Sequence, residues 1–163
     1  MRRSTPIRLF SILLVVGSLA AIPLAGPVSA AATPPTTCLN PKSTSDPKKF
    51  TATSTLTACS NKAATGGSGV AVINFKVLTK ITGKITWKGT GTTTFQITEK
   101  AVKPNKCKAP SVEIISTGKV TGGTGAALKL IPKGSPYSET VCAVTSGKDL
   151  GKTTLFPGTK VII

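Results

Sequence analysis

The sequence predicts an all-β protein, an antiparallel β-sandwich of about seven to nine strands that is stapled by disulfides. The first observation behind this prediction is composition. Thr occurs 26 times in 163 residues, and its branched side chain favours strands over helix interiors. The second observation is an alternation of apolar and polar residues with a period of two. The third is the presence of four cysteines in a chain that starts with an export signal.

Residues 1–30 are expected to be a cleavable signal peptide. Three arginines give a positive start, an apolar run of thirteen residues covers 9–21, and a small-residue cleavage site ends at Ala30. The run is shorter than the roughly 20 residues that a membrane span needs. The protein is therefore expected to be secreted or associated with the cell envelope, with no transmembrane span in the mature chain.

The expected mature chain divides into two parts. Residues 31–49 are rich in Pro, Thr, Ser and Lys, which predicts an extended leader that is pinned to the rest only at Cys38. Residues 50–163 have the length of one domain and are numerous enough to bury a core. A single β-sandwich domain is predicted for them.

Alternation defines the strands. From Val70 to Lys88 apolar residues take the odd positions and mostly polar residues the even ones, which predicts one buried and one solvated face. Phe50–Cys59 shows a weaker alternation with Thr at every second place. Further strands are expected over residues 92–98, 112–115, 119–121, 126–131, 139–144 and 159–163.

A short repeat predicts two β-hairpins. Residues 82–86 (TGKIT) recur as residues 117–121 (TGKVT), and each copy is soon followed by Gly-Thr-Gly. If each Gly-Thr-Gly is a three-residue loop, Ile85 faces Phe95 in the first hairpin and Val120 faces Leu128 in the second. Apolar residues then meet across both ladders, which loops of two or four residues would not allow.

The four cysteines predict two disulfides. Cys38, Cys59, Cys107 and Cys142 include no closely spaced pair of the kind that binds zinc. Three connectivities are possible, and Cys38–Cys59 with Cys107–Cys142 is preferred because sequential pairing closes the shorter loops. Each bridge is expected to stabilise the fold by about 3 kcal/mol.

Charge points to anionic partners. Removal of residues 1–30 removes every arginine and leaves 18 lysines against 5 acids, a net charge of +13. Such a chain is attracted to anionic lipid and to phosphate-bearing wall polymers. Specific nucleic-acid binding is not expected, because it depends on the guanidinium group that this chain lacks. An alternative of equal weight is that the lysines only maintain solubility and prevent edge-to-edge strand pairing.

Two lysine groups are the candidate contacts for an anionic surface. If residues 70–88 form one continuous strand, four lysines share its solvent face at intervals of about 13 Å. A second group lies in residues 100–108, next to a cysteine. The alternative for both groups is an ordinary solvated face. The candidate residues are Lys76, Lys80, Lys84, Lys88, Lys100, Lys103, Lys106 and Lys108.

Most catalytic mechanisms are disfavoured. The chain has no histidine, so an imidazole base and a His-containing zinc site are excluded. The five acids are scattered, and only a fold that joins Glu99 with Glu113 would create the carboxylate pair of a hydrolase. No catalytic residue, metal site or cofactor is predicted.

The pattern resembles small secreted actinobacterial proteins that have no established function. The resemblance rests on an early Cys pair, a Gly-rich turn at 66–69, the Ile85-Thr86-Trp87 strand, a later Cys pair and Pro-Gly-Thr at 157–159. It implies a secreted two-disulfide sandwich and brings no catalytic residues.

The sequence thus predicts an immunoglobulin-like sandwich that acts as an exported, non-enzymatic binding or structural module, with lysines that contact anionic surfaces. A small-ligand carrier or an inhibitor of a secreted enzyme is the first alternative. A carboxylate-dependent hydrolase is the second.

Overall fold

The computed structural model describes residues 34–46, 48–77 and 80–163. The expected signal peptide lies outside them. The described residues form nine strands and two short helices, and every strand pairing is antiparallel. The strands are β1 (Thr37–Asp46), β2 (Thr51–Thr57), β3 (Gly69–Asn74), β4 (Ile81–Trp87), β5 (Gly91–Ala101), β6 (Ser111–Thr124), β7 (Pro136–Val144), β8 (Lys152–Leu155) and β9 (Val161–Ile162). The helices are α1 (Lys62–Thr65) and α2 (Gly125–Leu130).

The sheet closes on itself. Strands β2 to β8 pair in chain order, and β1 pairs with both β8 and β2, which gives a closed barrel of eight strands. Strand β9 pairs with β1 and β7. The predictions of an all-β antiparallel fold and of about seven to nine strands are confirmed. In place of two stacked sheets of immunoglobulin-like type, one continuous sheet surrounds the core.

Closure depends on the segment that the sequence predicts to be a leader. Residues 37–46 form β1, which pairs with β2 from Leu39↔Thr57 to Asp46↔Thr51 around one irregularity. The sequence predicts that this segment is attached to the rest of the protein only at Cys38. In the structure, residues 37–46 are instead one of the eight strands of the barrel. Its Pro, Ser and Lys content conceals the strand, because those residues are poor strand formers by themselves.

Alternating strand directions give the barrel two different ends. At the loop end, four connections join consecutive strands: residues 47–50, 75–80, 102–110 and 145–151. At the helix end, the connections are residues 58–68, 88–90, 125–135 and 156–160, which include α1 and α2. The two helices contact each other and cover this end, where Ala64 and Ala127 are fully buried.

Apolar side chains fill the barrel interior. The rings of Phe95 and Tyr137 stack in its middle with centroids 4.3 Å apart. Trp87 is buried towards the helix end, as expected, and its indole N–H donates to Thr93 Oγ1 over 2.8 Å. These side chains come from different strands, so the interior is a packed core instead of an open channel.

The first predicted hairpin forms with a shifted register. Trp87 pairs with Gly91, so the three-residue loop is 88–90, and Ile85 faces Thr93 while Gly83 faces Phe95. The predicted faces are correct because a shift of two residues preserves the alternation.

The second predicted hairpin is wrong. Strand β6 runs unbroken to Thr124, and residues 125–130 form α2, in which Leu128 is exposed. Gly125 takes a left-handed φ of 65°, which ends the strand, and the following Ala and Leu residues are good helix formers. Val120 instead lies opposite Phe95 on β5.

Both preferred disulfides are present. Cys38 is bonded to Cys59, and Cys107 to Cys142, so no cysteine is free. The first bridge ties the start of β1 to the end of β2 near the helix end. The second ties loop 102–110 to β7. Two disulfides are compatible with an extracellular location.

Candidate functional site: the lysine-rich loop end

The loop end concentrates positive charge. Its four loops carry eight of the 18 lysines of residues 31–163, and all eight are exposed. Asp149 is the one acidic residue within these loops. The eight lysines are Lys48, Lys49, Lys76, Lys80, Lys103, Lys106, Lys108 and Lys148.

The structure brings most of the candidate lysines together, by a different arrangement from the predicted one. The expected continuous strand over 70–88 is wrong, because the chain reverses at residues 75–80. Asn74 starts the reversal by accepting the Lys76 N–H at Oδ1 over 3.0 Å, as asparagine often does in turns. Lys76 and Lys80 therefore lie in one loop at the loop end.

The remaining candidates divide between three places. Lys103, Lys106 and Lys108 lie in loop 102–110, and Lys100 is one residue from the end of β5 beside that loop. Lys84 points outward from the middle of β4, and Lys88 lies at the helix end. Five of the eight predicted lysines thus lie in the loops of the loop end and Lys100 lies next to them, while Lys84 and Lys88 are elsewhere.

Loop 102–110 is held by polar contacts as well as by its disulfide. The Asn105 side chain accepts the Cys107 and Glu113 N–H groups over 3.1 and 2.9 Å and donates to the Ser111 carbonyl over 3.0 Å. The Glu113 carboxylate accepts the Lys106 N–H over 3.2 Å. These bonds fix the backbone that carries three lysines, which favours a preformed charged surface.

Two acids hold the neighbouring loops. Asp46 accepts the backbone N–H groups of Lys48 and Lys49 and lies 3.3 Å from the Lys49 ammonium. Asp149 pairs with Lys152 over 2.5 Å. Both ion pairs of the described residues therefore lie at this end, and both are local to one loop.

Exposed apolar residues accompany the lysines, and sequence reasoning misses them. Phe50, Val77 and Leu150 are 51, 57 and 55% exposed, more than any other large hydrophobic residue that the structure describes. Each lies in a different loop of the loop end. Phe50 also has a φ of 53°, a backbone conformation that bulky residues seldom adopt. Only the strand order reveals that three separate sequence positions share one end.

A shallow groove leads away from the loop end along the outside of β5 and β6. Thr98 and Thr117 lie at its centre, and no acidic residue lines it. Its lining lysines are Lys100 and Lys103 near the loop end and Lys119 and Lys133 farther along. Lys100 and Lys119 are about 13 Å apart along the strands, since Lys119 pairs with Gln96.

The barrel interior contains a small cavity near the loop end, lined by both apolar and polar side chains. Its volume is about 160 Å³, and Ser43, Ser54, Ser116, Glu99 and Glu139 contribute polar groups to its lining. Ser116 is buried and lies between the two glutamates in the pairing of β5, β6 and β7. The volume lies below the roughly 300–1,000 Å³ of common small-molecule sites.

Two carboxylates, those of Glu99 and Glu139, share the cavity. Glu99 pairs with Ser116, and Ser116 pairs with Glu139, so these three side chains lie on one face of neighbouring strands. Glu113 belongs to the opposite face of β6 and supports loop 102–110. Glu99 and Glu113, the two acids that a hydrolase would have to bring together, do not form a pair, because an odd separation from Ser116 turns Glu113 outward.

The cavity perturbs its ionisable groups. Desolvation raises the pKa of Glu99, and the nearby Ser116 hydroxyl opposes this only in part. Burial, and secondarily the Glu139 carboxylate to which the Tyr137 hydroxyl donates, raises the pKa of Tyr137 well above its ordinary 10.0. Tyr137 therefore stays neutral and serves as a hydrogen-bond donor within the core.

The described part of the chain has neither a cluster of metal-ligating side chains nor a helix of membrane-spanning length. Its His, Cys, Asp and Glu residues form no group of three or more that could hold a metal ion. None of its helices has the length and apolarity to cross a membrane.

Comparisons with known proteins found no matching family model, no similar curated protein and no similar solved structure.

Proposed function

We propose that this protein is an exported, non-enzymatic module that binds anionic surfaces of the cell envelope or its surroundings through the lysines of the loop end. The observation that carries the proposal is the gathering of eight exposed lysines in four adjoining loops around one acid. Charges that lie within about 10 Å of a surface act together at 0.1 M salt, whereas scattered ones do not.

The preorganisation of loop 102–110 supports the same function. A disulfide, an asparagine side chain and a buried glutamate hold its backbone, although the loop buries little apolar surface of its own. A loop that served solubility alone would need no such support. The charge of three lysines is instead presented at fixed positions.

A charge-matched pair of variants tests the proposal. One variant changes five loop-end residues to Gln: Lys76, Lys80, Lys103, Lys106 and Lys108. The control changes five lysines that lie outside both the loop end and the groove of β5 and β6 to Gln: Lys62, Lys84, Lys88, Lys129 and Lys160. Both lose five charges, so a difference between them depends on position alone.

Retention of residues 31–163 is measured on anionic vesicles and on immobilised polyphosphate between about 50 and 500 mM salt. The unmodified protein is expected to bind most tightly at low salt and more weakly as salt rises. The loop-end variant should lose about 100-fold or more in affinity, since each lysine near an anionic surface contributes about 1 kcal/mol. Equal losses in both variants, or no retention of the unmodified protein, would overturn the proposal.

A second candidate function is supported by the groove on β5 and β6. Four lysines and no acid along an outer groove suit an extended anionic polymer, such as a phosphate-bearing wall polymer, better than a flat surface. Substitution of Lys119 and Lys133 by Gln is the discriminating change. It should weaken retention on polyphosphate and leave vesicle binding unchanged if the polymer follows the groove.

A further inference from the structure

We propose that the anionic surface is a lipid bilayer, and that Phe50, Val77 and Leu150 insert into it while the surrounding lysines bind headgroup phosphates. This inference rests on the proposed function, because it assigns the partner of the same loop end. It begins from the exposure of these three side chains, each of which is more than half accessible.

The three apolar residues occupy neighbouring loops. Loop 47–50 contacts loop 75–80 through the Phe75 N–H, which donates to the Phe50 carbonyl over 3.0 Å. On the other side, Ser45, which belongs to β1 and lies two residues before loop 47–50, donates its N–H and its hydroxyl to the Gly151 carbonyl of loop 145–151 over 3.1 and 2.6 Å. The three loops therefore form one linked rim, on which the apolar side chains can meet one surface together.

Each apolar residue has lysines beside it. Lys48 and Lys49 precede Phe50, Lys76 precedes Val77, and Lys148 lies two residues before Leu150. Apolar tips surrounded by ammonium groups match the two layers of an anionic membrane, where headgroup phosphates lie outside the hydrocarbon. A hydrated polyanion offers the phosphates but nothing for the apolar tips to contact.

The backbone at Phe50 adds an independent indication. A φ of 53° raises the conformational energy of a phenylalanine, whereas glycine and asparagine adopt this conformation readily. Such conformations persist only where the surrounding structure holds them, and they cluster at functional sites. Here the strained residue presents a half-exposed aromatic ring at the rim of the barrel.

The test compares two triple variants of residues 31–163 on vesicles of phosphatidylglycerol and phosphatidylcholine. The first changes Phe50, Val77 and Leu150 to Ser. The control removes exposed apolar groups away from the loop end, with Val72→Thr, Leu128→Ser and Leu130→Ser. Partition at about 0.5 M salt, where charge attraction is largely screened, should fall about 100-fold or more in the first variant and remain unchanged in the control.

A Phe50→Trp variant reports insertion directly. Emission from the introduced indole should shift to the blue on vesicles, and lipids brominated near the top of the acyl chain should quench it, at a depth of about 5–10 Å. Trp87 gives a constant background because it is buried near the helix end. Immobilised polyphosphate should cause no such shift.

The outcomes separate the two proposals. Vesicle binding that is indifferent to the triple substitution of the loops, with water-like emission from the Phe50→Trp variant, overturns insertion and leaves electrostatic binding intact. Retention on polyphosphate without retention on vesicles does the same. Absence of retention on both supports overturns the proposed function and the bilayer assignment together.

Discussion

Gly83 makes room for the aromatic pair at the centre of the barrel. A Cβ atom added to Gly83 would lie 2.2 Å from Phe95 Cζ, and Phe95 is itself stacked on Tyr137. A glycine within a buried strand thus permits an aromatic ring to lie flat across its neighbour. The residue has no chemical role of its own, and its importance comes from what packs against it.

Gly83→Ala is therefore expected to destabilise the protein by about 1–3 kcal/mol, because the ring of Phe95 must leave its position in a packed core. Urea unfolding measures the loss. Gly122→Ala is the matched control on another strand, since its Cβ would meet only Thr94 Oγ1 at 3.4 Å. Similar midpoints for the two variants would show that the barrel interior has free space at Phe95.

Glu99 gives a pH-dependent prediction. Its raised pKa means that the folded protein binds more protons than the unfolded chain, so its contribution to stability is lost as pH rises above the ordinary 4.5. Glu99→Gln should therefore stabilise the protein at pH 7, by less than about 1 kcal/mol because the carboxylate is partly exposed. The difference in thermal midpoint should disappear near pH 3, and a variant that is less stable at pH 7 would contradict this.

The disulfide of loop 102–110 affects the stability of the whole fold and the position of an entire loop. It joins positions 35 apart, against 21 for Cys38–Cys59, and the entropy of the unfolded chain falls more when the longer loop is closed. It also anchors the loop that carries Lys103, Lys106 and Lys108. One covalent bond thus serves both stability and the shape of the charged surface.

Cys107→Ala with Cys142→Ala should lower the free energy of unfolding by about 4 kcal/mol, and Cys38→Ala with Cys59→Ala by slightly less. Urea unfolding of both double variants checks this order. In addition, only the first should weaken binding to anionic vesicles under conditions where both remain folded. Equal vesicle affinities would mean that the loop lysines need no fixed backbone.

At the level of elements, the alternation of apolar and polar residues predicts correctly which face of a strand is buried. It predicts poorly where strands and helices begin and end. It assigns Ile85, Trp87 and Phe95 correctly to the interior, because parity survives a register error of two residues. It assigns residues 126–131 wrongly to a strand, where the structure has α2. Alternating Ala, Leu and Lys over so short a stretch fits a helix as well, and Gly125 and packing against α1 decide between the two.

The same limit applies to the candidate site. Loop 102–110 is recognisable in the sequence because its lysines are close together along the chain. The meeting of Lys48, Lys76 and Lys148 is not, because it depends on which strand ends lie together. The three exposed apolar residues of the rim are not predicted from the sequence for the same reason. An isolated apolar residue in a loop does not indicate a binding surface until its neighbours in space are known.

For the whole molecule, closure by β1 is the decisive feature. Without it, β2 and β8 would be open edges of an incomplete sheet, with unpaired backbone groups that favour aggregation. A sandwich and a barrel produce the same alternation, since both bury one face of every strand. What distinguishes the barrel from the sandwich is the pairing of β1, ten residues whose composition does not predict a strand.

Deletion of residues 31–46 is therefore expected to abolish cooperative unfolding, although it removes only part of the segment that the sequence predicts to be a leader. The exposed edges should also make the shortened chain associate. Circular dichroism during heating and analytical ultracentrifugation follow the two effects. A chain that begins at Pro34 retains all of β1 and is the control. Retention of a cooperative transition after the longer deletion would show that β1 is an accessory strand.

The pairing of Thr36 with Ile163 has a practical meaning for engineering. Each N–H of this pair donates to the carbonyl of the other, over 2.7 and 2.8 Å, at the end of the barrel away from the lysine loops. A fluorescent protein or a surface tether attached after Ile163 would thus stand clear of the loop end. A short peptide joining positions 163 and 36 should also permit circular permutation, with new termini opened at the helix-end turn 88–90.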